Sequence, residues 1–187
     1  MRIDYNAPVT LTFSLIALGA FVLGQLFPPL TPGLFTLHPE FIPTDPFSYL
    51  RPVSYVFGHS GTAHLLGNLS FILLLGPALE EKYGSRTMLI LILITTLLTA
   101  LVFIIFYSNG LLGASGVVFM FIILNSFTRV KADHIPLTFV LVCLLFLGKE
   151  VLDSFRDDQI SQTAHLIGGI CGGAFGFRLT RRNQNSM

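Results

Sequence analysis

Long apolar runs separated by short polar breaks dominate this chain: Val9–Phe27, Ala63–Leu79, Met88–Tyr107, Leu111–Phe127, Ile135 to about Leu152, and Thr163–Phe177. A helix rises about 1.5 Å per residue and a bilayer core is about 30 Å thick, so runs near 20 residues are of spanning length. The runs are unbroken, whereas a membrane β-barrel needs alternating segments of about ten residues. The pattern therefore predicts an all-α membrane protein, a six-transmembrane-helix bundle forming a single domain over residues 1–187, with two spans short and rich in glycine. Val9–Phe27 is read as a span and not a cleaved signal, because it is long for a signal core and Gln25–Pro29 offers no small-x-small cleavage site.

Two connections depart from simple polar loops. Pro28–Thr62 carries Phe35, Phe41, Phe47, Tyr49, Leu50, Val53, Tyr55, Val56 and Phe57, too many apolar side chains for a solvated loop. It is expected to lie in the membrane interface as an embedded first loop. Its prolines exclude a long helix, and a short one is expected after Pro52. Tyr107–Gly116, YSNGLLGASG, is the second: its glycines predict irregular chain leading to a helix that begins at Ser115.

Composition and charge fix the setting. Of 187 residues 52% are hydrophobic and 11% charged, with mean hydropathy +0.74, against about 25% charged in a soluble domain. With six spans, Arg2, Lys82, Arg86, Arg129, Lys131, Arg178, Arg181 and Arg182 fall on one side, and Arg51, Lys149 and Arg156 on the other. The positive-inside rule then predicts that both termini are cytoplasmic. The net charge of +1 gives no sign of a nucleic-acid partner, and none is expected. Cys143 and Cys171 lie in apolar runs and read as packing residues.

The candidate chemistry comes from polar residues inside these runs. His64 and Asn68 lie 16 and 12 residues before Glu80, Ser115 lies 14 before Arg129, and His165 lies 13 before Arg178. Helical rise puts all four about 18 to 24 Å from the charged ends, at one predicted level nearer the outer face. Ser115 would stand at a helix N-terminus, where unpaired N–H groups favour a developing negative charge. Ordinary small-residue packing is the alternative for GASG, and a histidine bonded to a backbone carbonyl the alternative for His165. Gly168, Gly172 and Gly176 form a repeated GxxxG face, joined by Gly169 and Gly173, which lets His165's helix approach a partner closely.

Such an approach gives Ser115 a base in His165. His64 and Asn68, at i and i+4, present donors for an oxyanion beside the Ser115 backbone N–H, with interhelical glue as the alternative. His59 is expected to be structural. No carboxylate lies mid-span, so a dyad is read and not a triad; Asp157 and Asp158 are read as solvated. His59, His64 and His165 lack HExxH or comparable spacing, so neither a metal nor another cofactor is expected.

In this order and topology the residues resemble the rhomboid intramembrane serine proteases of the minimal six-helix type. The resemblance runs from Arg51 to Arg178 and rests on Arg51, the H-x4-H-x3-N of His59, His64 and Asn68, Glu80, the GASG of Gly113–Gly116, and AHxxGxxxG at Ala164–Gly172. It implies a Ser115–His165 dyad, with His64, Asn68 and the Ser115 backbone N–H as oxyanion donors. It implies substrates that are single transmembrane helices cut after a small residue, admitted from the bilayer past the fifth span and a cap at Lys149–Gln162. The implied location is a bacterial inner membrane.

Two positions depart from the family pattern. Leu50 stands where a tryptophan often precedes the loop arginine, and Phe119 stands where a tyrosine often follows the nucleophile by four residues; a phenyl ring can still stack on the histidine. A non-catalytic helix binder of the same fold is the second reading, although such relatives typically lose the serine or the histidine. A small transporter is the third, but it lacks broken helices in two repeated halves.

Overall fold

The computed structural model describes residues 4–128, 135, 137–147 and 159–184. Arg2, the predicted turn Arg129–His134, and the stretch from Gly148 to Asp158, with the end of the fifth run and most of the cap, lie outside the described residues. Among the described residues the architecture is helical, with one isolated antiparallel bridge between Leu37 and Leu111. The chain divides into two compact units, Met1–Ala114 and Ser115–Met187.

The first unit contains α1 (Pro8–Leu26), α2 (Leu30–Leu34), α3 (Arg51–Ser54), α4 (Thr62–Tyr83) and α5 (Ser85–Phe106), with short 3-10 turns at Pro46–Tyr49 and Tyr55–Phe57. Among the described residues α1, α4 and α5 are long and apolar enough to cross a membrane. Pro8 opens α1, where its missing N–H costs nothing and its fixed φ suits the helix. The next donors are met from another helix. Glu80, near the end of α4, accepts from the Val9 and Thr10 backbone N–H groups, both at 2.9 Å, and from Thr10 Oγ1 at 2.8 Å.

Glu80 was expected at a charged helix end, yet it is 4% exposed. The physical reason is that its carboxylate caps the positive end of α1, replacing water with charge-assisted hydrogen bonds. Gly84, at φ +82°, then reverses the chain from α4 into α5, a backbone conformation that side-chain-bearing residues rarely adopt.

The first loop, rich in proline and aromatics, is tied down by polar side chains turned inward. Buried Arg51 donates from Nε to the Gly33 carbonyl at 2.8 Å and from Nη1 to Ser48 Oγ at 3.2 Å, and pairs with Asp45 at 2.7 Å. The Tyr55 hydroxyl donates to the Thr96 carbonyl at 3.1 Å, fixing the loop against the middle of α5. The expected short helix after Pro52 is α3, with proline in its first turn.

The irregular stretch after α5 is stitched to the same loop. Leu37 and Leu111 exchange backbone hydrogen bonds of 2.8 and 3.0 Å, and Gly113 N–H donates to the Tyr55 carbonyl at 2.9 Å. These bonds satisfy backbone groups that an unpaired, buried loop would leave stranded.

The second unit contains α6 (Ser115–Asn125), α7 (Leu137–Val142) continued by a π-helical turn at Cys143–Leu147, and α8 (Gln159–Gln184). Every residue of α6 from Gly116 to Leu124 is buried. A methyl group placed on Gly168 would meet the Gly116 carbonyl, one on Gly172 would lie 2.6 Å from the Met120 carbonyl, and one on Gly176 would strike the Phe127 ring. Steps of four along α8 thus match successive turns of α6 and then Phe127, two residues past its end. The two helices run parallel with their backbones in contact, as small-residue faces permit. Phe127, Phe139 and Phe177 close the far end, with ring centroids 4.8 to 5.7 Å apart.

Candidate active site

In the first unit, the residues read as oxyanion donors and their support come together around the start of α4. His59 precedes the helix and is buried, with Nδ1 3.1 Å from the Phe57 carbonyl and Nε2 3.0 Å from Asn68 Nδ2. The carbonyl can only accept, so Nδ1 carries the proton and Nε2 accepts from the Asn68 amide. Burial, then the neighbouring His64, push the His59 pKa down to about 4 against the opposing pull of the carbonyl. His59 is therefore neutral at physiological pH and fixes the orientation of Asn68, leaving the second amide N–H of Asn68 for another acceptor.

His64 stands edge-on to His59, with ring centroids 5.0 Å apart, and its Nδ1 lies 3.2 Å from Ser60 Oγ. Gly113 comes up against its other side. A methyl group there would sit 2.8 Å from both Cε1 and Nε2 of His64 and 3.8 Å from Asn68 Nδ2. Gly113 has φ +119°, so glycine is required here both by the backbone and by the closeness of the imidazole. Two residues later in the chain comes Ser115.

In the second unit, Ser115 is the first residue of α6 and His165 lies near the start of α8. Phe119, one turn after Ser115, stacks on the His165 imidazole at a centroid distance of 4.2 Å and an interplanar angle of 5°. Next along each helix, Gly116 and Gly168 form the closest backbone approach, and Gly172 repeats it one turn on. The phenyl ring thus does the stacking for which a tyrosine is usual, and its face restricts the imidazole to one plane.

Two contributors were not singled out from the sequence. Tyr55 holds Gly113 through its carbonyl, and only the folded loop reveals that. Ser60 lies four residues before His64, a spacing that does signal contact between them.

The rhomboid domain model matches residues 46–182. The rhomboid protease GlpG of Haemophilus influenzae is 26% identical over 141 residues, covering 73% of this chain and 73% of that protein. Rhomboid-related protein 1 of Caenorhabditis elegans is 31% identical over 157 residues, 78% of this chain and 43% of its own length. The rhomboid protease GlpG of Klebsiella pneumoniae is 32% identical over 116 residues, 62% of this chain and 42% of its own length. With the domain matched over most of its length and three apolar helices of spanning length, this chain belongs to the rhomboid family of integral membrane proteins.

Proposed function

We propose that the protein is an intramembrane serine endopeptidase acting through a Ser115–His165 dyad and an acyl-enzyme. Ser115 Oγ attacks the scissile carbonyl while His165 takes its proton. The amide C–N bond then breaks as His165 returns that proton to the leaving amine, and water, activated by the same imidazole, hydrolyses the ester. The oxyanion is received by the Ser115 backbone N–H, the Asn68 amide and the Nε2–H of His64. Ser60 supports this tautomer by donating its hydroxyl proton to His64 Nδ1.

The observation that carries the reading is the His165 ring stacked on Phe119, one turn from Ser115, on helices whose backbones touch at Gly116 and Gly168. The proposed substrates are single transmembrane helices that unwind near the outer face and are cut after a small residue. They enter past the fifth span and the cap at Lys149–Gln162, both termini of the enzyme lying in the cytoplasm of a bacterial cell. Purified Ser115→Ala protein should fold as the parent does yet leave such a substrate intact in vesicles. Cleavage persisting in that preparation refutes the assignment.

A further inference from the structure

An apolar cleft of about 330 Å³ opens on the first unit, walled by Phe13 and Ile16 of α1, Val56 and Phe57 of the first loop, and Leu89 and Leu93 of α5. Ile16, Leu89 and Leu93 remain 36 to 47% exposed at its rim, so the chain itself leaves it open. Its polar exceptions are few: the Thr12 hydroxyl is bonded to Tyr5 at 2.9 Å, and the Thr96 carbonyl is taken by Tyr55. Water needs two to four polar partners, and of the cleft's lining residues the buried Thr96 hydroxyl alone is left without one.

One cation stands on the same line. Arg86 precedes Leu89 by three residues and Leu93 by seven, which puts it on the cleft-facing stripe of α5, in the first turn. It is exposed and forms no ion pair among the described residues. The nearby Glu80 carboxylate is occupied by the N-terminus of α1 and does not compete for it. An exposed guanidinium at one end of an open apolar cleft, in a membrane protein, matches a phosphate with a hydrocarbon chain behind it.

We propose that this cleft is a phospholipid site, with the lipid phosphate on Arg86 and one acyl chain between α1, the first loop and α5. The bound chain packs against Val56 and Phe57, whose neighbour Tyr55 holds Gly113 against His64. Lipid occupancy thereby braces the loop that carries the candidate site. The proposal does not depend on whether the protein is catalytic.

The chain has no tryptophan, so a single introduced indole is a unique reporter. Leu93→Trp places it in the cleft, Ile16→Trp places it on the opposite wall should the first variant fold poorly, and Leu74→Trp, at a position 73% exposed on α4 and outside the cleft, reports bulk lipid. In vesicles, phosphatidylglycerol with brominated acyl chains should quench the cleft indole at least twofold more steeply than equally brominated diacylglycerol. The preference should be absent for Leu74→Trp and lost when Arg86→Gln is added. Equal quenching by both lipids at the cleft, or a preference that survives Arg86→Gln, overturns the proposal.

Discussion

His59 shows how a single buried side chain can fix the orientation of its neighbour. Held neutral by burial, it accepts from Asn68 and so aims the remaining amide proton of that residue. Its depressed pKa has a sign that can be measured. The unfolded chain binds a proton near pH 6.5 and the folded one only near 4, so the stabilisation is fully present above pH 6.5 and lost as pH falls from 6.5 to 4. The loss should be on the order of 2 to 3 kcal/mol. Thermal unfolding in detergent between pH 7 and 4 should show it, and a His59→Asn variant should lack that part of the acid sensitivity; identical pH profiles would contradict the assignment.

At the scale of elements, two helix junctions carry the architecture. Glu80 joins α4 to α1 within the first unit, and Glu80→Ala would strand the buried Thr10 N–H, at a cost of about 1 to 3 kcal/mol, and the part-buried Val9 N–H at less. A clear drop in melting temperature is expected, which partial restoration by Glu80→Gln would attribute to the hydrogen bonds. The α6–α8 contact offers a sharper pair of tests. Gly168→Ala drives a methyl group into the Gly116 carbonyl and should cut proteolysis severely, whereas a methyl group at Gly173 meets only the Phe139 ring at about 4 Å and should be tolerated. Equal activity of the two variants in a cleavage assay would show that the helix approach does not position the chemistry.

The same elements show what the primary structure reveals. The apolar runs locate α1, α4 and α5 to within a few residues, and the glycines before Ser115 mark where α6 starts, because helix-forming patterns and breakers are local signals. The GxxxG face of α8 announced a close partner for the same reason. Glu80 was read as a charged end because nothing nearby in the chain shows that the donors of α1, some seventy positions earlier, fold onto it. The ties of Arg51 to Gly33 and of Tyr55 to Gly113 are likewise non-local, and the aromatic content of the first loop foretold only that it would not be solvated.

For the whole molecule, the family assignment and the helical architecture stand on the matched domain and the apolar helices, whereas the proposed chemistry rests on Ser115 and His165 lying on two packed helices. Labelling by a serine-directed fluorophosphonate probe in detergent tests that pairing most directly, because it reports nucleophile activation without requiring the natural substrate. The native protein should label at Ser115, with labelling abolished in Ser115→Ala and nearly so in His165→Ala, while both variants keep the parent's melting temperature. Labelling of undiminished intensity in correctly folded His165→Ala would contradict the account, since the serine would then owe nothing to the imidazole.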